Sequence, residues 1–432
     1  VGLLGGLPRL FDAVTDPIIG YISDNFRSRW GRRRPFIFIG AIAAAISFGM
    51  LWQLPAGQTE TFYFWYFLIG SFVFFLAYTL FATPWVALGY ELTPDYDERN
   101  RLMGTQNFIA QLAYFIPPWL VLLAQNDTLF DNMVDGTSAI AWVIAGLVAI
   151  FGMVPAIFLR ERMKDVAAKE QADALGGKSG LGARVVDFLK GFGEALSFLP
   201  FLRLCVATFL VFNGFIMIAA FQFYVIVYYI FAGDIEAGAG LAGALGTVGV
   251  LSTFAVVALV TWMATRFGKR RTFAIATGIA ALGYALKWFC YNPDMPWLLF
   301  IPTPLMAFGL GGLFTLMPSM MADIVDMDEV KTHRRREGMF ASIYWWVVKL
   351  GQGAATAMGG FLLVTTGFDV ALGGGQSEDT LFWLRVFDVV IPVIFYLGAI
   401  WLIATLDVSR EKAAAVRAQL EARRGSAAPV SA

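Results

Sequence analysis

Cysteine, histidine and charged residues are all scarce in this chain. Its 432 residues include two cysteines, Cys205 and Cys290, and one histidine, His333. Both cysteines lie in apolar runs, so the sequence predicts neither a disulfide framework nor a cysteine metal cluster. Asp, Glu, Lys and Arg make up only 15% of the residues, and the formal net charge is zero. Since the basic residues are confined to loops between apolar runs, the sequence argues against a nucleic-acid partner.

Apolar residues are what the chain has in abundance. Hydrophobic residues make up 58% and aromatic residues 16% of it, and the mean hydropathy is +0.66. A soluble domain needs far more charge to cover its surface, whereas a chain whose solvent is lipid does not. The composition therefore indicates an integral membrane protein. No nucleophile paired with a base and no ligand cluster stands out, so the sequence does not predict an enzyme.

Apolar stretches of about 20 residues, the helical length that crosses a hydrocarbon core of roughly 30 Å, recur along the chain. They predict an all-α polytopic membrane protein with eleven spanning helices. The predicted spans are residues 1–22, 35–54, 62–89, 103–123, 137–158, 204–231, 239–265, 273–291, 297–317, 339–366 and 381–406.

The loops between these spans alternate in charge. One set carries Lys and Arg clusters, at 27–34, 99–101, 266–271 and 331–336. The other set has neither residue and consists of 55–61, 124–136, 232–238, 292–296 and 367–380. By the positive-inside rule, the basic loops and the C-terminal tail are predicted to be cytoplasmic, in a bacterial-type plasma (inner) membrane.

A polar central segment, residues 159–203, separates five predicted helices from six. We therefore expect an N-terminal helical bundle at 1–158, a C-terminal bundle at 204–406 and a cytoplasmic tail at 407–432. Because the chain starts without methionine in an apolar run, we also expect one further helix before Val1. The predicted total is six helices in each bundle.

Two basic loops repeat at equivalent places in the two bundles. SRWGRRRPF follows the first predicted span and TRFGKRRTF follows the seventh, with Gly31 matching Gly268. Two parallel six-helix halves with substrate between them near the midplane are the architecture of the major facilitator superfamily. The predicted arrangement resembles that fold.

The first predicted span carries three charges in an apolar run: Arg9, Asp12 and Asp16. Their spacing of three and four residues places them on one helical face. A carboxylate at the bilayer centre costs about 2.5 to 3.5 kcal/mol on insertion scales, so two of them need compensation. A plain ion pair between Arg9 and Asp12 is one explanation, but it leaves Asp16 unexplained.

Lys349 is the clearest second charge inside a predicted span, ten residues from its start. It lies in the C-terminal half, so it can meet the carboxylates only at the interface between halves. Lys287, Arg385 and Asp388 lie nearer to helix ends, where long side chains reach the membrane surface, and we expect that simpler role for them.

Two nearby carboxylates with extra oxygen ligands can hold a hard monovalent cation such as sodium, or can share a proton. Thr15 and Thr79 supply hydroxyl oxygens within the predicted spans. When the cation leaves, Lys349 can neutralise the carboxylates instead. The pattern predicts a site for a coupling ion, Na⁺ or H⁺, and no other cofactor.

Three stretches carry a family resemblance: RLFDAVTDPIIGYISDNFRSRWGRRRP, YTLFATPWVALGYELTPDYDERNRL, and MADIVDMDEVKTHRRREG followed by VVKLGQG. They resemble the glycoside-pentoside-hexuronide cation symporter family over essentially the whole chain. The resemblance implies a coupling-cation site of four residues, namely Asp12, Thr15, Asp16 and Thr79. It also implies two charge-balancing residues, Arg9 and Lys349, and one aromatic residue of a sugar pocket, Tyr78.

At the positions of the family's sugar pocket, the residues of this chain differ from the family pattern. Ala82 replaces a sugar-binding aspartate of the sugar-carrying members, Asn107 replaces a pocket arginine, and Val86 replaces a tryptophan. Aromatic rings near Lys349 offer faces that suit sugar rings, although they equally suit helix contacts or lipid. The candidate substrate-binding residues are therefore Tyr78, Trp85, Asn107, Tyr344 and Trp345.

The cytoplasmic loops mix both signs of charge, and their position predicts an inner gate of ion pairs. The candidate gate residues are Asp24, Arg32, Arg101, Asp323 and Asp326. The acidic members of the second half are expected to pair with Arg32 or Arg101. A topology signal and a solvated loop explain the same residues without a gate.

The sequence predicts a secondary active transporter that couples a cation, sodium in preference to a proton, to the symport of a sugar or glycoside by alternating access. A related branch carries lysophospholipids with sodium and also lacks the sugar-binding aspartate, so a lysophospholipid cargo stays open. A membrane sensor that binds ligand without moving it is a third interpretation. The predicted partners are this substrate, a monovalent cation and the bilayer, with the chain acting as a monomer.

Overall fold

The computed structural model describes residues 2–26, 28–92, 105–106, 109–110, 112–159, 192–332, 337–406 and 410–425. Within these ranges every regular element is helical. The chain divides into two compact units, Val1–Gly180 and Leu181–Ala432.

In the described part of the first unit, three long helices are followed by a short one and another long one. They are α1 (Gly2–Asn25), α2 (Arg34–Leu51), α3 (Glu60–Glu91), α4 (Leu120–Ala124) and α5 (Met133–Phe158). Helix α3 packs against both α1 and α2, and α2 packs against α5. Helix α3 is therefore positioned to share a site with α1.

The second unit contains six long helices and a helical tail. They are α6 (Leu199–Tyr224, continued by a π-helical segment Val225–Ile230), α7 (Ile235–Phe267), α8 (Lys269–Cys290), α9 (Pro302–Thr332), α10 (Glu337–Thr365), α11 (Glu378–Ala404) and α12 (Arg410–Gly425). Helix α11 packs against α6 and α8, while α9 packs against α7 and α8.

Nine helices within the described ranges are long and apolar enough to cross a membrane. Helix α1 has 24 residues, the length of a span, but carries the charged residues noted above. Large side chains on the surface are apolar, as for Phe151, Phe158, Val364 and Trp401. Such a surface suits lipid rather than water. The predicted all-α membrane architecture is confirmed.

Helix α9 is the clearest departure from the predicted boundaries. The sequence places the end of this span at residue 317, because several acidic residues follow, yet the helix continues to Thr332. Asp323 and Asp328 lie on this extension and are buried. Their charges are therefore enclosed within the second unit rather than exposed in a solvated loop. A helix can extend beyond the lipid when its polar turns find partners in the protein.

Short polar side chains start the helices where they leave a loop. The Asn132 side chain accepts hydrogen bonds from the backbone N–H groups of Val134 and Asp135 at the start of α5. Asp234 and Ser377 cap α7 and α11 in the same way. These caps satisfy donors that have no partner within the helix, and so they fix the helix boundaries.

The repeated basic loop predicted from the sequence has two features in common between the units: a glycine with positive φ, and an arginine that donates to the end of a spanning helix. Gly31 and Gly268 have φ values of 111° and 81°, which side chains other than glycine rarely adopt. Arg34 donates to the carbonyls of Ala156 and Ile157, at the end of α5. Arg270 donates to the carbonyl of Ala404 at the end of α11. In each unit, an arginine of this loop thus caps the last spanning helix.

Helices α2 and α3 approach each other closely at Gly40. A Cβ atom at this position would lie 2.5 Å from the backbone nitrogen of Phe81. Small residues permit such contacts between membrane helices. This contact fixes the position of α3 against α2.

Candidate cation-binding site

Two carboxylates of α1 face two threonines of α3. The Thr79 hydroxyl donates to Asp12 Oδ1 at 2.5 Å, and the Thr83 hydroxyl donates to Asp16 Oδ1 at 3.0 Å. Both pairs are separated by 67 residues, so the two helices run in the same direction here. Residues four apart share a helical face, so the two pairs form consecutive layers of one site.

The Asp12 layer is closed to solvent. Asp12 and Thr79 are both 0% exposed, and Thr15 is 7% exposed. The Thr15 and Thr79 hydroxyl oxygens lie 3.4 Å apart, and the Thr15 hydroxyl also donates to the Asp12 carbonyl at 3.1 Å. Three of the four residues predicted for the cation site are therefore gathered within hydrogen-bonding distance of one another.

Arg9 lies at the edge of this layer. Its Nη1 atom is 3.9 Å from Asp12 Oδ2, and its side chain is 37% exposed. Its guanidinium also lies 4.6 Å from the centre of the Phe75 ring. A long, partly exposed ion pair of this kind stabilises little. The Arg9–Asp12 ion pair is present, but the hydrogen bond from the Thr79 hydroxyl to Asp12 is shorter.

Asp16 is half-buried and forms the more open layer. Its partner Thr83 is not among the residues predicted for the site from the sequence. The available signal was spacing, since Thr79 and Thr83 repeat the interval of four between Asp12 and Asp16. The described part of the chain places no group of three or more His, Cys, Asp or Glu side chains to hold a metal ion.

The donor set fits a small hard cation. Asp12, Asp16 and the three threonines described here offer carboxylate and hydroxyl oxygens, and Arg9, Asp12 and Asp16 together carry one net negative charge. Hard cations prefer oxygen ligands. A hydroxyl has two lone pairs besides its proton, so each threonine can turn from donating to a carboxylate to coordinating a cation.

The predicted aromatic residues lie in two different settings. On α3, Tyr78 stacks on Phe74 with ring centres 6.2 Å apart, and Trp85 stacks on Phe81 at 6.1 Å. Trp85 also packs against the buried cluster that contains Ile37. These contacts position both rings, while their predicted role in substrate binding stays a prediction.

The other predicted aromatic pair lies on α10. Tyr344 is 7% exposed and belongs to the hydrophobic core of the second unit, whereas Trp345 is 50% exposed. Lys349 lies one turn after Trp345 on the same helix and is half-buried. Lys349 belongs to the second unit and the carboxylates to the first, so their meeting stays a prediction.

Some of the candidate gate residues lie outside the described part of the chain. Arg101 and the pocket candidate Asn107 lie outside the described residues, as does the side chain of Asp24. Asp323 is 3% exposed. Its Oδ2 atom lies 2.5 Å from Lys269 Nζ. Lys269, which follows Gly268 in the repeated loop, is thus a partner of Asp323 that the sequence reasoning did not consider.

The second unit holds an ion pair that contradicts the expected surface role of Lys287 and Asp388. Their side chains are 1% and 0% exposed, and Lys287 Nζ lies 2.6 Å from Asp388 Oδ2. The expectation that these charges reach the membrane surface is wrong. Helix α11, which carries Asp388, packs against both α6 and α8.

Comparison with known proteins identifies the family. A family model described as MFS/sugar transport protein matches residues 1–410. The chain is 24% identical to a glucuronide carrier protein homologue of Escherichia coli, over 93% of this chain and 83% of that protein. It is 25% identical to an isoprimeverose transporter of Lactiplantibacillus pentosus, over 93% of this chain and 80% of that protein.

Two further matches broaden the picture. A sodium-dependent lysophosphatidylcholine symporter of Xenopus tropicalis is 21% identical, over 94% of this chain and 79% of that protein. The solved structure of a bacterial homologue of the lysosomal transporter Spinster has a TM-score of 0.65 and 16% identity, over 97% of this chain and 89% of that one. At this identity the structural likeness concerns the fold, which is that of the major facilitator superfamily.

The relatives confirm the family predicted from the motif stretches, and that family consists of transporters rather than enzymes. The chain belongs to the MFS/sugar transport protein family and, within it, to the glycoside-pentoside-hexuronide group of the major facilitator superfamily.

Proposed function

We propose that the protein is a symporter whose coupling cation binds between α1 and α3 at Asp12 and Asp16. The observation that carries this proposal is the pair of carboxylate–threonine contacts, at 2.5 Å and 3.0 Å. Carboxylates within a membrane span are costly unless a positive partner reaches them. A mobile cation meets that need and also links the charge of the site to a transport step.

Sodium is the preferred coupling ion in this proposal. A proton needs only one carboxylate oxygen, whereas a sodium ion needs several oxygen ligands around it. Asp12, Thr15 and Thr79 supply such ligands within one buried layer. The hydroxyls have no role in proton binding beyond hydrogen bonding, so their gathering here favours sodium.

The proposed cargo is a sugar or glycoside. Support comes from the family description and from the glucuronide and isoprimeverose relatives. The exposed ring of Trp345 and the partly exposed ring of Tyr78 offer apolar faces for sugar rings. A lysophospholipid is the second candidate, favoured by the lysophosphatidylcholine relative and by Ala82, where sugar-carrying members have an aspartate.

The proposed cycle follows alternating access. Cation binding neutralises Asp12 and Asp16 and so removes their attraction for Lys349. Substrate then binds, and the two units rock around it to expose the site on the other side. Release of the cation lets Lys349 neutralise the carboxylates again. The basic loops and the acidic residues of α9 act at the cytoplasmic gate.

The test is uptake into proteoliposomes with a panel of cargoes and driving ions. The cargoes are glucuronides, pentosides, other glycosides and lysophosphatidylcholine, and the ions are sodium, lithium and a pH gradient. We expect a sodium gradient to drive accumulation of a glycoside, and Asp16→Asn to abolish it. Asp379→Asn, an exposed aspartate of α11, serves as the matched control with unchanged uptake.

Three results would contradict the proposal. Accumulation driven only by a pH gradient would assign the coupling ion to the proton. Sodium-driven uptake of lysophosphatidylcholine without any glycoside would assign the cargo to the second candidate. Binding of a glycoside without counterflow would instead indicate a sensor.

A further inference from the structure

The buried pair of Lys287 and Asp388 forms a second charged cluster, and it lies entirely within the second unit. Lys287 is on α8 and Asp388 on α11, and both side chains are almost fully enclosed. Gln222 of α6 and Tyr291, just after α8, complete the cluster. An ionisable group inside a membrane protein indicates a functional site more often than not. Nothing in the cation site of α1 and α3 uses these groups.

The lysine has partners that do not depend on the aspartate. Lys287 Nζ donates to Gln222 Oε1 at 3.2 Å. The same ammonium lies 5.4 Å from the centre of the Tyr284 ring and 5.6 Å from that of Tyr291. Aromatic faces attract cations, most strongly where water is excluded. The ammonium therefore stays stabilised if the carboxylate loses its charge.

Of the two carboxylate oxygens of Asp388, only one has hydrogen-bond partners in the described part of the chain. Oδ2 accepts from Lys287 Nζ and from the Tyr291 hydroxyl, both at 2.6 Å. Oδ1 is buried and has no hydrogen-bond partner in the described part of the chain. Buried polar atoms are nearly always paired. An orphan oxygen on a carboxylate is a position where a proton can bind.

We propose that Asp388 is a proton-binding site of the transporter, separate from the cation site of α1 and α3. The proton comes from water and forms an O–H bond at Oδ1, while the Tyr291 hydroxyl keeps its bond to Oδ2. The pair changes from zero net charge to plus one. Lys287 is then held by Gln222 and the two tyrosine rings alone, and the ionic link between α8 and α11 is lost.

Other charged and titratable groups lie around the pair. Arg385 lies one turn away on α11, with its guanidinium 4.2 Å from the Tyr229 ring and 4.7 Å from the Trp288 ring. Tyr284 of α8 and Tyr291 face the pair, and Tyr396 of α11 packs against Tyr284. Tyr291 follows the last residue of α8, so the pair lies towards the helix ends opposite the basic loops.

The direct test is pH-difference infrared spectroscopy of the full-length purified protein in nanodiscs, with the proton as the only ligand. On acidification from about pH 8.5 to about pH 5.5, exposed aspartates stay largely ionised, because their pKa is near 4. We expect a protonated-carboxyl C=O band to appear in the native protein and to be weaker in Asp388→Asn by the contribution of one carboxyl group. The exposed control Asp379→Asn keeps the band. A band of the same size in native protein and Asp388→Asn, or no band in either, would overturn the proposal.

Two further variants protect the test against a folding defect. Asp388→Glu keeps the carboxyl group and is expected to shift the pH at which the band appears. The double variant Lys287→Gln with Asp388→Asn removes both charges and leaves no unpaired one. Counterflow of the cargo identified in the uptake panel is then measured over the same pH range. We expect the change in counterflow rate with pH to be at least about threefold smaller in the double variant than in the native protein. A native pH profile in the double variant would show that the pair is only structural.

This proposal can fail independently of the proposed function. The infrared band needs neither substrate nor sodium, so a failure to find the cargo leaves it testable. Conversely, sodium-driven uptake through Asp12 and Asp16 can be correct while Asp388 stays ionised.

Discussion

The threonine hydroxyls, more than the nearby arginine, determine how the carboxylates of α1 are held. Thr79 reaches Asp12 Oδ1 at 2.5 Å in a fully buried layer, whereas Arg9 is 3.9 Å away and partly exposed. A hydrogen bond to a charged group contributes about 1.5 to 3 kcal/mol, against about 0 to 1 kcal/mol for an exposed ion pair. The geometry of Asp12 therefore depends mainly on α3.

The first prediction concerns Thr79. We expect Thr79→Val to raise the sodium concentration for half-maximal uptake by about tenfold or more, which corresponds to about 1.4 kcal/mol. Valine keeps the shape but removes the hydroxyl oxygen, so Asp12 loses a partner and the cation loses a ligand. Thr79→Ser should recover most of the affinity. The measurement is sodium-dependent uptake into proteoliposomes.

The second prediction compares the two layers. Asp16 is half-buried, so water can replace the hydroxyl of Thr83 more easily than that of Thr79. Thr83→Val should therefore raise the sodium requirement less than Thr79→Val does, when the two are measured side by side. A larger effect at Thr83 would show that the cation sits in the Asp16 layer instead.

At the scale of helices, the sequence was most informative where one physical rule dominates. Apolar length located most of the spans, and glycine within a basic loop identified the repeat at Gly31 and Gly268. The end of α9 was missed because buried acidic residues look like a loop until their partners are known. Lys287 and Asp388 were misjudged for the same reason, since their pairing joins residues about a hundred positions apart. Spacing alone could have found Thr83.

The third prediction tests the contact between α2 and α3. A Cβ at position 40 would lie 2.5 Å from the backbone of Phe81, so Gly40→Ala must push α3 away from α2. We expect a cost of about 1 to 3 kcal/mol, seen as a lower unfolding temperature in detergent. Gly146→Ala on α5 is the control, because nothing lies within 4 Å of its Cβ. Equal unfolding temperatures for the two variants would contradict the close contact.

The fourth prediction tests the repeated loop. Gly268 has φ 81° and ψ 155°, a conformation that is essentially restricted to glycine and costs other residues about 1 to 3 kcal/mol. Nothing lies within 4 Å of its Cβ position, so Gly268→Ala should lower the unfolding temperature through backbone strain alone. Gly240→Ala, in the interior of α7 and equally free of neighbours, should not lower it. An unfolding temperature for Gly268→Ala equal to that of native protein would show that the loop changes its backbone without cost.

At the scale of the whole molecule, the chain places its intramembrane charges in both units. The first unit holds Asp12 and Asp16, and the second holds Lys349 and the pair of Lys287 and Asp388. A transporter that alternates between two states needs interactions that differ between them. Charges divided between the two units can supply that difference, because a cation bound at Asp12 and Asp16 changes the net charge of the first unit only.

The last prediction follows from this division. If Lys349 neutralises the carboxylates after the cation leaves, then Lys349→Gln removes the return step without removing the cation site. We expect gradient-driven net uptake to fall at least about tenfold, because the empty site keeps an uncompensated charge within the membrane. Counterflow, in which the site stays loaded, should persist near the native rate. Lys412→Gln, at an exposed position of the helical tail α12, is the matched lysine control and should leave both assays unchanged. An equal loss of net uptake and counterflow would place Lys349 in cation or substrate binding instead, since only the return step separates the two assays.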